Sequence, residues 1–459
     1  MPLTGRESEA EFLDDRPSRA ELQRGQERAF EAEEKLAGIE SSRAWRLLQR
    51  YRGIRSWIKR SGPTPAGRTG PEAKDQSANI GDGYSELSLA FEDWTEVARN
   101  AVGDEVVVVL SDIPLSELDA GHRSGHLVAE YLRTACPVLF TYNRTRYHAA
   151  PERGIESLLL RSPVDLTHRL LPQILEADFG DKRKVLFTTY PLEVTVRYMA
   201  YASQHGWSVV YDVQADWEAL DQVGAANRYV PAYEFYIATT ADVVTAVSVP
   251  LAKKIEVLSG RQVNLNANAH DPLTPIPAPS APSERPVLGY IGPLTNSWLN
   301  WDLLLECARR YPEIDFELAG HGMQPNVKCP DNVTFRGPMA EDGITQASSR
   351  WTGAILPGAF GSILNACDPL SVYQYLHWGL PVLATYIPQI LTYPGVTVTE
   401  SPEAFVAAIP ELTMMGRHRP SQWLSAQTWE TRIASYREAL SEVRPQSIVI
   451  DYLLGRKDS

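Results

Sequence analysis

The chain has 459 residues, 44% of them apolar and 22% charged, with 57 acidic against 44 basic side chains and a net charge of −13. That length asks for two or three compact units, each with its own core, and the acidic excess excludes a protein whose whole surface grips nucleic acid. Four scattered cysteines, Cys136, Cys307, Cys329 and Cys367, give no metal-ligand spacing and no disulfide framework, so they are expected as small buried hydrophobes.

Residues 1–60 read as a charged helical arm, acidic at first and then basic in SSRAWRLLQRYRGIRSWIKR. The start, MPLTGRESEAEFLDD, has no apolar run, so no secretory signal is expected there. Leu47, Leu48, Tyr51, Ile54 and Ile58 share one helical face among Arg and Lys. Such a helix at 43–60 can lie on an anionic membrane or pair with another helix, and both readings stand. Residues 61–79, rich in Pro, Gly and Ser, read as a flexible linker. No apolar stretch has the length of a membrane span, and the expected location is the cytoplasm, with the basic helix offering contact with the inner face of the membrane.

From 80 to 270, apolar β-branched runs alternate with helical patterns: EVVVVL, PVLFT, KVLFTT, SVVYD and DVVTAV. Runs that are apolar throughout suit strands buried on both faces, which means a parallel sheet covered by helices. After the first strand, Gly121, His122, Arg123 and Gly125 form either a loop that approaches an acceptor or phosphate, or an ordinary strand-to-helix turn. His122 and His126 lack a visible third ligand, and no metal is expected. Asp212 and Asp216 end a strand at the carboxyl edge, where they serve either as catalytic carboxylates or as helix caps.

The proline-dense segment 271–286 reads as a connector, and the alternation then restarts over 287–420 as a second α/β domain. Its first helix carries Leu299, Leu303, Leu304, Cys307, Ala308 and Tyr311 at spacings of three and four, one stripe for a sheet. In DPLSVYQYLHWGLPVLAT, Leu370 to Trp378 are expected to be helical, Gly379 to supply a left-handed cap and Pro381 to stop the helix before a strand. Asp368, Tyr373 and Gln374 are not explained by those structural needs; they fall near a helix start beyond a strand's carboxyl end, where such folds bind ligands. Residues 421–459 hold an amphipathic helix, Ser421 to Val443, and a tail.

YIGPLTNSWLNWDLLLECARRYPEIDFELAGHG, then NVTFRGPMAEDGITQASSRWTGAILP, then DPLSVYQYLHWGLPVLAT resemble the nucleotide-sugar half of retaining, GT-B fold glycosyltransferases of the bacterial surface-polysaccharide type. VVYDVQADW, NANAHD and AQTWETR are similar to that group's acceptor domain, domain crossing and C-terminal helix. The resemblance implies two Rossmann-like doubly wound domains facing a cleft. It implies a hexosyltransferase-like activity that moves sugar from a nucleotide donor to a glycan or lipid-linked acceptor, without a metal or other cofactor and without nucleic acid. It places the donor against Gly292, Pro293, Asn296, Gly320, His321, Asp368, Pro369, Ser371, Tyr373 and Gln374.

Ser371 and Gln374 stand where the family usually has a lysine facing the donor diphosphate and a glutamate holding the ribose, and Ala269 stands where a glycine is usual. Gln still hydrogen-bonds a hydroxyl, whereas a diphosphate asks for a cation or converging N–H donors. Trp351 to Gly416 contains no Lys or Arg, so the missing charge is expected from Arg123, Arg144 or Arg146 of the first domain. A catalytically silent, glycan- or partner-binding subunit is the alternative, and a nucleotide-sugar epimerase of the same fold a further one.

Overall fold

The computed structural model describes residues 76–111, 122–142, 158–224, 229–278, 285–323, 326–359 and 362–443. The basic helix expected at 43–60, together with Gly121, Arg144 and Arg146, lies outside the described residues. Helix α1 (Gln76–Asn100) begins just inside the stretch read as linker. It buries Leu87, Phe91, Trp94 and Ala98, spaced three or four apart, in the core of the first domain.

Seven strands follow: β1 (Glu105–Leu110), β2 (Val138–Tyr142), β3 (Leu159–Pro163), β4 (Arg183–Thr188), β5 (Trp207–Val213), β6 (Val243–Ala246) and β7 (Asn264–Leu265). They line up as β3-β2-β1-β4-β5-β6-β7, with every pairing parallel. Helices α2 (Arg123–Arg133), α3 (Val164–Glu176), α4 (Glu193–Gln204), α5 (Trp217–Gln222), α6 (Pro231–Thr240) and α7 (Val249–Ser259) connect them. The run EVVVVL shows why the five residues after Glu105 are all apolar. Val106, Val108 and Leu110 face one core with Leu171 and Ile174, while Val107 and Val109 face another with Leu127 and Phe187.

The second sheet is built from β8 (Val287–Ile291), β9 (Asp315–Ala319), β10 (Val333–Gly337), β11 (Gly353–Leu356), β12 (Val382–Thr385) and β13 (Val396–Thr399), in the order β10-β9-β8-β11-β12-β13 and again all parallel. Its helices are α8 (Trp301–Arg310), α9 (Glu341–Ser348), α10 (Ser362–Asn365), α11 (Leu370–His377) and α12 (Pro402–Met414). In both sheets the order reverses beside the first strand, between β1 and β4 and between β8 and β11. Each reversal opens a crevice at the carboxyl ends of the strands. Helix α8 starts at Trp301 because the Asn300 side chain accepts from the N–H of Leu303. Helix α11 stops as expected, with Gly379 at φ +73°.

One expectation needs correction here. The helix read from Ser421 to Val443 is broken into α13 (Ser421–Leu424) and α14 (Trp429–Glu442), because Thr428 and Thr431 form a reciprocal capping box that starts a new helix. At the start of the connector, the Thr274 and Pro275 carbonyls accept from His377 at 2.8 Å and Trp378 at 3.2 Å, which ties that part along α11. Helix α14 then returns to the first domain, where Trp429, Ile433, Tyr436 and Leu440 join the core around Leu127 and Phe187. Arg437 fastens its far end by donating to Glu105 at 2.8 Å.

Candidate functional site

Arg123, the first residue of α2, is buried at 3% exposure and faces Asp212 at the end of β5, which has none. The guanidinium Nε and Nη2 donate to the two Asp212 oxygens at 2.9 and 3.2 Å. Nη1 donates to the Ala267 carbonyl and to Asn268 Oδ1, at 3.0 and 3.1 Å, and Nη2 also donates to Tyr436 at 2.8 Å. These contacts use every N–H of the guanidinium. Arg123 therefore has no donor left for a phosphate, which corrects the expectation that it supplies charge to a donor.

Asp212 in turn accepts from Gln214 and Thr245, both at 2.9 Å. Burial alone pushes its pKa up, but Arg123, Tyr436 and Gln214 outweigh that and hold it below the ordinary value. A carboxylate so closed in is a structural counterion, not the cleft-exposed catalytic group expected from its place at the strand end. Asp216 plays the capping role, accepting from the Ala219 N–H at 3.0 Å and pairing with Lys254 at 2.7 Å. Gly125 lies inside α2. His126 stacks on Trp429 with ring centroids 4.8 Å apart, and its burial lowers its pKa to about 4.

The domain crossing links this network to the second domain. Asn268, already held by Arg123, donates its backbone N–H to Asp368 Oδ2 at 2.6 Å and its side-chain amide to the Asp368 carbonyl at 2.5 Å. Tyr373 and Tyr393 donate to the same carboxylate at 2.9 and 3.1 Å. Burial raises the Asp368 pKa to about 6 against the pull of Asn268, the two tyrosines and Arg123. Tyr373 has no exposed surface and stacks on Trp423, so it is unable to touch a ribose or base. Asp368 and Tyr373 are buried in the contact between the domains and turned away from a donor surface. Arg432 of α14 adds two bonds to the Asn268 carbonyl, at 3.1 and 2.8 Å.

At the carboxyl edge of the second sheet, the glycines serve loop packing. Gly292 donates to the Ala319 carbonyl at 3.1 Å, Leu294 to that of His321 at 2.8 Å, and a Cβ on Gly320 would lie 1.9 Å from the Gly292 carbonyl oxygen. Pro293 offers its carbonyl to Tyr290 at 2.9 Å, while Asn296 and His321 are exposed. Pro369 occupies the position before α11. Ser371 and Gln374 are half-buried in that helix, with Ser371 hydrogen-bonded to Tyr375. Tyr375 also accepts from the N–H of Ile291 at 2.6 Å, joining α11 to the end of β8.

The two carboxyl edges meet. Tyr190, just beyond β4, and Trp217, just beyond β5, lie edge to face with centroids 4.7 Å apart. They form one apolar cluster with Leu220, with Ile363 of α10, and with the half-buried Trp298 and Cys367 of the second domain. Burial first, then Asp368 and Asp216, pushes the Cys367 thiol up to about 12, so charges from both walls reach it. Ser248 of the first domain closes the same seam by donating to the Ala366 carbonyl at 2.6 Å. Sequence reasoning did not pick out Tyr190, Trp217, Asn268, Ile363 or Tyr436. The usable signal was an aromatic two to four residues past the end of each of two neighbouring parallel strands.

Comparison with protein families and with curated proteins finds no match. Solved structures do match. A lipopolysaccharide outer core galactosyltransferase, WaaB, in its apo form is 12% identical, with a TM-score of 0.51 over 73% of this chain and 98% of its own. An alpha,alpha-trehalose 6-phosphate synthase from Burkholderia multivorans is 8% identical, with a TM-score of 0.52 over 74% and 99%. What these likenesses establish is the fold: GT-B, two Rossmann-like doubly wound domains whose carboxyl edges face each other.

Proposed function

We propose that this protein is a glycosyltransferase that takes a nucleotide sugar at the carboxyl edge of its second domain and passes the sugar to a glycan or lipid-linked acceptor held by the first, in cell-surface polysaccharide synthesis. The observation that carries the reading is the meeting of the two carboxyl edges, Tyr190 and Trp217 against Ile363 and Trp298. In doubly wound folds the crevices outside those edges are where ligands bind, and here two such crevices converge. The order of sequence motifs that resembles the retaining enzymes supports the donor assignment and the retaining outcome.

In this reading Gln374 meets the ribose or base, while Ser371, backbone N–H groups at the start of α11 and the exposed Asn296 and His321 surround the diphosphate. No metal enters the proposal. With Arg123 fully committed to Asp212, Asn268, Ala267 and Tyr436, the donors named here are neutral, and a first-domain charge on the leaving group falls to Arg144 or Arg146, outside the described residues. Neutral hydrogen bonds are weaker than charge-assisted ones, so turnover that relies on them alone is expected to be slow.

The neutral donor wall also favours a second reading, a binding subunit that holds a nucleotide sugar or glycan without transferring it. Calorimetry with a panel of nucleotide sugars and free nucleotides tests the donor site, and release of nucleotide diphosphate in the presence of acceptor separates the two readings. Selective binding with turnover supports the transferase, and binding without turnover supports the subunit. Binding of neither class of compound removes both.

A further inference from the structure

Trp217 presents a difficulty that packing does not resolve. Its indole N–H is buried without a partner among the described residues, and so is the hydroxyl of Thr189, the residue before Tyr190. A buried donor left unpaired costs about 1–3 kcal/mol, and phenylalanine would fill the same apolar cluster without that cost. The orphaned group lies at the seam between domains, where interfaces commonly part about a hinge.

We infer that Tyr190 and Trp217 form a binding subsite for one neutral pyranose ring of the acceptor glycan, uncovered when Ile363 and Trp298 withdraw with the second domain. The aromatic faces receive the C–H face of the sugar, and the Trp217 N–H and the Thr189 hydroxyl donate to its ring hydroxyls. The surrounding charge selects against phosphate. Asp216, Glu218 and Glu234 gather on this wall, with Lys254 paired to the first two at 2.7 and 2.8 Å. Tyr229, in the same cluster, is pushed up by burial and then by Glu234, Glu218 and Asp216. Among the described residues, a phosphorylated sugar brought here meets the carboxylates of Asp216, Glu218 and Glu234 and the ammonium of Lys254, whereas a neutral hexose meets no Coulomb penalty.

The inference deepens the transferase reading and rests on the same cleft, yet methyl glycosides carry no nucleotide, so the two fail separately. Saturation-transfer NMR on the full chain with methyl α-D-gluco-, galacto- and mannopyranoside, beside glucose 1-phosphate, is the test. At least one methyl glycoside should bind, with saturation concentrated on one ring face, and more tightly than glucose 1-phosphate. Trp217→Phe and Thr189→Val should each weaken that binding by roughly tenfold, the factor equivalent to one lost hydrogen bond, while leaving the apo melting temperature unchanged or higher. The inference is overturned if no methyl glycoside binds, if the phosphorylated sugar is preferred, or if both variants bind as the wild type does.

Discussion

Asn268 and Asp368 are bonded twice, backbone N–H to carboxylate at 2.6 Å and side-chain amide to carbonyl at 2.5 Å. That pair joins the crossing loop of one domain to the residue two places before α11 of the other. Through Arg123, which holds Asn268 and Asp212 together, the grip extends to β5 and to α14.

The Asp368 carboxyl should leave a signature in stability against pH. Burial raises its pKa to about 6, above an unfolded value near 4, so within that window the folded state holds a proton that the unfolded state has released. The stability it contributes is present below about pH 4, falls as pH rises to about 6 and is flat above. Urea denaturation between pH 4 and 7 should show this decline, on the order of 2–3 kcal/mol, in the wild type and its loss in Asp368→Asn. Identical slopes for the two proteins would count against the assignment.

The Arg123–Asp212 pair predicts a large and partly reversible loss. Arg123→Met leaves Asp212 charged and buried, and should cost roughly 3–5 kcal/mol in chemical denaturation. Adding Asp212→Leu should recover part of that loss, because no uncompensated charge remains. A single variant as stable as the wild type would mean that the pair is not closed in solution.

Gln374→Ala should weaken nucleotide affinity by roughly 1 kcal/mol, the size of one lost hydrogen bond. Ser371→Lys should strengthen binding of a nucleoside diphosphate, most clearly at low salt, since a point charge near phosphate is screened by ions. Calorimetry at two ionic strengths reads both effects. An unchanged affinity in both variants would move the donor away from α11.

Gly320→Ala should unfold the loop between β9 and β10 or lower the melting temperature by several degrees, because its Cβ would come within 1.9 Å of the Gly292 carbonyl, a backbone atom with no rotamer to yield. Calorimetric melting checks this. A wild-type melting temperature would show that the two loops are not in contact.

Much of the architecture was readable from local pattern. Runs such as VVVVL and GAILP are apolar at every position, and only a strand covered on both faces has use for that. The Gly379 cap and the α8 stripe were legible for the same reason, since each is set by the geometry of a single helix. Helix α1 was equally legible, its Leu87, Phe91, Trp94 and Ala98 keeping the helical spacing, but it fell at a linker's edge and was not singled out. The start of α14 depended on one capping pair, Thr428 and Thr431, inside a segment that keeps its amphipathic period on both sides of the break.

The roles of the polar residues were decided by tertiary structure alone. The sequence by itself put Asp212 at the end of a strand and Asp368 before a helix, and both positions are as expected. Whether each carboxylate faces a cleft or a partner depends on Arg123, Asn268, Tyr373 and Tyr393, which come from other elements. Backbone periodicity specifies which face of its own strand or helix a side chain occupies, a relation among neighbours in the chain. A counterion is chosen by closeness in space, and Arg123 reaches Asp212 across 89 positions and Tyr436 across 313, separations that only the packed domains bring within a hydrogen bond.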